Sequence, residues 1–244
     1  MDSTPPTKSE APAEVKPVPA ALMRNFHEVL RNDILKELAP LAAGPSPDFE
    51  AFAAAWGRHT HGMAFHAAME EGAGAAGRGF FALIEDASAG AASADPFRAE
   101  HAEEGALKSA LEAALAARDA QALSISCEAY KTWALAHLTH EEDIFMKFAP
   151  TLAKPVALHL RNEALQPAVA TLGSHALDDF VRHGVASLAR HGSSANPPHV
   201  ATRVWLHALQ AVAPPQDWQR LRMIALEAAG EEVWAAMLSQ VPTL

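Results

Sequence analysis

A chain of 244 residues, half of them hydrophobic, is long enough for one large domain or two small ones. Its formal net charge of -10, with 19 Lys and Arg that form no patch, excludes a nucleic-acid backbone and an anionic membrane surface as partners. Cys127 stands alone, the N-terminal stretch MDSTPPTKSEAPAEVKPVPA has no apolar core, and no apolar run has transmembrane length, so a cytoplasmic, reducing setting is the expectation.

Residues 1–19 are rich in Pro, Lys, Glu and Ala, with little to bury, and are expected to be disordered. A first helix is predicted from about Ala21 to Ala39, with Leu22, Phe26, Val29, Leu30, Ile34 and Leu38 as its apolar stripe. Pro40 ends or kinks it, and Gly44-Pro45-Ser46-Pro47 turns the chain. Asp48 caps a second helix that carries Phe52, Trp56, Met63, Phe65 and His66 to about Glu71. The stretch GAGAAGRG follows, and each glycine costs a helix about 1 kcal/mol against Ala, so the chain bends before Phe80–Glu85 resumes.

Ser93-Ala94-Asp95-Pro96 opens a third helix, with Pro at its first position, that runs to about Arg118. Asp119 caps the fourth, which ends at Pro150. Short connections between these four predict an up-down-up-down four-helix bundle over residues 20–152. Further helices are expected at about 156–171, 175–190, 198–212 and 216–240, a C-terminal helical extension over 153–244 with a soft boundary near 150–158. Strand-like alternation is absent, and the fold class is all-α.

The informative stretch is Trp133–Pro150, WALAHLTHEEDIFMKFAP. His137 and Glu141 are four apart and so share a helix face, while Trp133, Ala134, Phe145 and Phe148 recur around them at helical spacing. An imidazole and a carboxylate that face a core must be hydrogen-bonded, paired or bound to a cation. The other bundle helices offer matching groups: His27 on the first, His66 and Glu70 on the second, His101 on the third. At a rise of about 1.5 Å per residue, their depths in an antiparallel bundle agree to within one or two turns. Four imidazoles and two carboxylates then converge at one end. Such a mixed nitrogen and oxygen set suits iron, manganese or zinc, and two carboxylates can link two ions.

The order His, His-x-x-x-Glu, His, His-x-x-x-Glu, closing in HLTHEEDIFMKFAP, resembles the hemerythrin-like (HHE cation-binding) family over about residues 21–152. The resemblance implies a four-helix bundle with a non-haem di-iron centre that binds dioxygen or a related small ligand. His27, His66, Glu70, His101, His137 and Glu141 would be its ligands, with Glu70 and Glu141 bridging. The chain departs from that pattern in three places. Oxygen-carrying members have a further His where this chain has Gly105, and their last carboxylate falls at Glu142 rather than Glu141. Iron-sensing members have an acid where this chain has Ala67. A seventh ligand would come from Glu104, with Glu142, His140 and His59 as weaker candidates. Ferritin-like di-iron bundles are excluded, because no Glu is followed by His three residues later.

Two other functions compete with oxygen or iron binding and sensing. An oxidase or peroxide-handling enzyme would use the same centre, with the gap at Gly105 as its open position. A metal-free helical interaction module would make His66/Glu70 and His137/Glu141 exposed pairs worth a few tenths of a kcal/mol, and His101 part of a solvated face with Glu100, Glu103 and Glu104. Outside the bundle, His175, Asp179 and His183 stack at helical spacing and read as a polar face, as do His199 and His207. Trp205, Trp218, Trp234 and Cys127 read as core. Oligomeric state and protein partners leave no mark in the sequence.

Overall fold

A computed structural model describes residues 18–72, 78–89, 93–148, 160–173 and 175–239. Among them every regular element is a helix, as the sequence requires, and none is long and apolar enough to cross a membrane. The tail up to residue 17, most of the glycine stretch and the boundary near 150–158 fall outside the described residues, as do the side chains of Phe145 and Phe148.

The first helix begins earlier and ends later than predicted. It runs as α1 (Val18–Asn32), widens into a π-helical turn (Asp33–Leu38) and finishes as α2 (Ala39–Ala42). Pro19 is tolerated in a first turn, where its missing N–H is not needed. Pro40 does not stop the chain because the π turn comes before it, and it occupies the first turn of α2, where again no N–H is required. Helix α3 (Phe49–Glu71) starts at Asp48, whose carboxylate accepts from Ala51 N–H at 3.0 Å. Short α4 (Gly79–Ala87) leads to α5 (Asp95–Ala117), and α6 (Ala120–Phe148) opens on Asp119, which accepts from Ala122 N–H at 2.9 Å.

The C-terminal part comprises a second π turn (Leu160–Leu165), α7 (Gln166–Leu172), α8 (Ala176–His191), α9 (Pro198–Val212), α10 (Trp218–Ala229) and α11 (Glu231–Ser239). The single helix expected over 216–240 is two. Gly230, at φ 76° and ψ 160°, takes a positive-φ conformation open mainly to glycine and breaks the helix there.

Two apolar clusters frame the site. Ile34, Leu38, Phe52, Trp56, Leu111 and Leu123, with Cys127 and Tyr130, fill one end of the α1–α3–α5–α6 packing. At the other end Phe26, Leu30, Met63, Phe65 and Leu138 share a single cluster with Leu177, Phe180, Val185 and Trp205 from α8 and α9. The C-terminal helices therefore pack against the flank of the bundle. Phe180 is stacked on Phe65 at 4.4 Å between centroids and meets Phe26 edge-on at 4.7 Å. Phe26 in turn meets the His66 ring at 5.2 Å.

Candidate metal centre

Each of the four long helices delivers its imidazole to one point because the periodicity of its apolar stripe leaves that imidazole inside. His27 on α1, His66 on α3 and Glu70 on α3 are fully buried, as is Glu141 on α6, and His137 is 2 % exposed. The His101 side chain, on α5, is 8 % exposed. None of these six is on a solvated face.

They form two groups of four. His27, His66, Glu70 and Glu141 bring one donor atom each to within 4.8 Å of one another, and so do Glu70, His101, His137 and Glu141. The groups share both carboxylates. Glu141 divides its oxygens between them: Oε2 lies 3.3 Å from His27 Nε2 and 3.3 Å from His66 Nε2, while Oε1 lies 3.2 Å from His137 Nε2. Glu70 Oε2 lies 3.3 Å from His66 Nε2 and 3.6 Å from His101 Nε2. The Nε2 atoms of all four His, and both oxygens of Glu70 and Glu141, are buried without a hydrogen-bond partner among the described residues. Leaving even one such atom unsatisfied is costly, so a cluster of them aimed at one space fits a cation.

The outer faces of the rings are held differently. His27 Nδ1 faces Glu142 Oε1 at 3.1 Å, and Arg31 donates to the same oxygen at 2.7 Å. His137 Nδ1 faces Glu100 Oε2 at 2.6 Å, and the other oxygen of Glu100 faces His140 Nδ1 at 2.7 Å. His101 Nδ1 is held by Glu71. A carboxylate at Nδ1 fixes the proton there and leaves Nε2 as a lone-pair donor. Trp133 stacks on His137 at 5.0 Å with planes 12° apart, fixing that ring from its face. His66 Nδ1 alone has no such partner among the described residues.

These surroundings sort the protons. Burial drives the Glu70 carboxyl well above the usual carboxylate range, and the nearby Glu141 charge pushes it the same way. Burial acts on Glu141 too, but His66, His137 and His27 outweigh it and hold Glu141 well below that range. For His66 burial wins and lowers the imidazole to about 4. For His27 burial is outweighed by Glu141 and Glu142, and for His137 by Glu141 and Glu100, so both are raised. Glu142, despite its burial, is held at about 2 by His27 and Arg31. Burial and the Glu141 charge thus favour a proton on Glu70, which a metal would compete with.

The four weaker candidates lie outside both groups. Glu142 and His140 belong to the outer contacts just described. Glu104, 6 % exposed, is paired with Lys108 Nζ at 2.8 Å and accepts from the Tyr130 hydroxyl at 3.3 Å. His59 is fully buried between Asp33 and Tyr130. Gly105, one turn beyond His101, is exposed. Sequence reasoning missed Glu100, Glu71 and Asp33 as partners of imidazoles. For Glu100 a signal existed: it precedes His101, and two His three apart on α6 come to the same depth. His183, read as part of a polar face, instead reaches Asp33 Oδ2 at 2.8 Å.

Residues 18–149 match the family described as Hemerythrin HHE cation binding domain, a span that contains all six clustered residues and more than half of the chain. Comparisons with curated proteins and with solved structures find no match. With the match and the geometry in agreement, the chain belongs to the hemerythrin HHE cation-binding domain family.

Proposed function

We propose that the chain is a non-haem di-iron protein that binds dioxygen or a related small ligand, whether to carry it or to sense oxygen or iron. The observation that supports this most directly is the pair of four-donor groups sharing Glu70 and Glu141, with every Nε2 and every carboxylate oxygen in them unsatisfied. His27 and His66 would hold one ion, His101 and His137 the other, and the two carboxylates would link them. Bound iron would supply reversible one-electron chemistry and open positions for a small exogenous ligand.

The chain's own residues set the conditions for that chemistry. Glu142, Glu100 and Glu71 fix three imidazoles by their Nδ1 protons and raise their basicity. Phe26, Phe81, Phe97 and Trp133 wall the rings and keep water from the donors. Glu70, raised by burial and by the Glu141 charge, would bind a cation in competition with a proton. The donor count favours a second reading, an oxidase or peroxide-handling enzyme, since four protein donors per ion leave room for a substrate as well as a carried ligand.

The deciding experiment is elemental analysis of the tag-free chain from iron-supplemented culture, with a visible spectrum of the same sample. Two irons per chain and charge-transfer bands that are lost in His66→Ala and His137→Ala are expected. Reversible bleaching of the dioxygen-induced bands under vacuum marks a carrier or sensor, and steady consumption of reductant marks an oxidase. Zinc, manganese or a single iron in the same site would overturn the di-iron assignment. Full retention of stability in chelator with no metal bound would leave only a metal-free helical module.

A further inference from the structure

Tyr130, the only tyrosine in the chain, is 1 % exposed and sits two turns before His137 on α6. Its surroundings differ from those of an ordinary core phenol. The ring lies 5.8 Å from Trp133, and Trp133 is stacked on His137 at 5.0 Å. A continuous path of aromatic rings therefore joins Tyr130 to a residue of the metal centre. Trp56 closes the other side edge-on at 4.9 Å.

The hydroxyl end is equally well defined. Tyr130 Oη lies 2.8 Å from His59 Nε2 and 3.3 Å from Glu104 Oε1, so its one proton has two acceptors within reach, of which His59 is the nearer, and His59 Nδ1 lies 3.3 Å from Asp33 Oδ2. The same Asp33 oxygen faces His183 Nε2 at 2.8 Å, and His183 lines a cleft of about 610 Å³ together with Asp179, Arg58 and His61. Asp33 itself is 2 % exposed and opens the π-helical turn of the first helix, an irregularity that recurs at functional sites. Its carboxyl is held low by His183 and His59 in spite of burial, so it stays ionised and keeps a proton on His59 Nδ1. His59 Nε2 is then free to accept. This buried chain of polar groups touches none of the six clustered residues.

We propose that Tyr130 is a one-electron donor to the metal centre, with Trp133 carrying the electron toward His137 and His59 accepting the phenolic proton. The inference rests on the proposed metal binding. With the centre oxidised by dioxygen or hydrogen peroxide, one electron leaves the Tyr130 ring and lowers the centre by one oxidation level. The Oη–H bond breaks and an N–H bond forms at His59 Nε2, which gives a neutral tyrosyl radical and an imidazolium facing Asp33. Return of one electron to the ring and of the proton to Oη restores the start. Trp133 does not keep the oxidising equivalent, because its Nε1 is buried with no acceptor among the described residues to take its proton. Tyr130 does, because it has one. The phenol is a reserve of one reducing equivalent beside the centre, coupled to a proton path that ends at the cleft.

The test is electron paramagnetic resonance on the full chain, loaded anaerobically with ferrous iron, assayed for bound iron, treated with hydrogen peroxide and freeze-quenched from milliseconds to seconds. A radical signal that narrows when the protein contains ring-deuterated tyrosine is expected, and with one tyrosine its assignment is unambiguous. Tyr130→Phe keeps the iron content and loses the signal. His59→Gln keeps the iron and lowers the radical yield severalfold. An iron-replete chain without a deuterium-sensitive signal at any quench time overturns the proposal and leaves the metal assignment standing, as does a signal that survives in Tyr130→Phe. Absence of bound iron overturns both.

Discussion

The protons of the cluster make a prediction that separates metal-free from metal-loaded protein. Above neutral pH the unfolded chain has ionised Glu70 and neutral His27 and His137, whereas in the folded metal-free chain all three groups are raised. The folded state then binds more protons than the unfolded one, so its stability falls as pH rises. Groups with lowered values, namely His66 at about 4, Glu142 at about 2, Asp33 and Glu141, act in the opposite sense. For His66 that window lies between about 4 and its ordinary value, and for the carboxylates it lies below the usual carboxylate range. None of these four opposes the alkaline loss.

Each proton held by the folded chain and not by the unfolded one gives a slope of about 1.4 kcal/mol per pH unit. For a chain of this length each kcal/mol lost in this way lowers Tm by about 2–4 °C. Metal removes the difference by displacing the protons, so affinity should rise about tenfold per pH unit for each proton released. The assay is differential scanning calorimetry of chelator-treated and iron-loaded chain at pH 7.0, 7.75 and 8.5, with calorimetric titration in buffers of different ionisation enthalpy to count protons. A metal-free Tm that stays flat or rises over this range would refute the argument that the folded cluster binds more protons than the unfolded chain.

Four substitutions test the site and its support. Glu70→Gln removes an anionic donor from both groups and should abolish binding of both ions, whereas His27→Ala touches only one group and should leave the other ion bound; elemental analysis of the purified variants reads both. Glu100→Ala frees His137 and His140 together and should weaken metal binding about 10–100-fold, as measured against a competing chelator. Phe180→Ala takes away the ring that packs on Phe26 and Phe65 and should cost about 3–5 kcal/mol in urea unfolding. Because Phe26 meets His66, the same variant should also weaken metal binding.

The convergence of the six residues was legible because it depends on quantities a sequence carries directly. His66/Glu70 and His137/Glu141 are set by helical spacing, and depth along an antiparallel bundle follows from residue counts and caps such as Asp48 and Asp119. What was not legible depends on how each helix is rotated about its axis and on long-range packing. Whether Glu100 faces solvent or reaches His137 and His140 is a matter of one rotation of α5 against α6. The π turn at Asp33–Leu38 has no propensity signature, and it precedes Pro40, which sequence rules read as a stop. The break at Gly230 was hidden because a lone glycine in an apolar helical pattern is usually tolerated. The packing of α8 on the bundle rests on Phe180 finding Phe65 across more than a hundred residues, and no local pattern encodes that.

The choice between Glu141 and Glu142 shows how a single residue of helical phase divides two roles. A residue four after His137 lies over its face and points into the cluster, and a residue five after it is turned by a further residue, toward α1. In the structure both carboxylates reach the same ring. Glu141 approaches His27 at Nε2, at 3.3 Å from inside, and Glu142 at Nδ1, at 3.1 Å from outside, with Arg31 anchoring it. One imidazole is therefore clamped between successive acids of α6, the inner one unsatisfied and free to meet a cation, the outer one already neutralised by a guanidinium. That division explains why the acidic pair in HLTHEEDIF serves the cluster although only one of its members belongs to it. The outer carboxylate fixes the tautomer that makes the inner position a donor site.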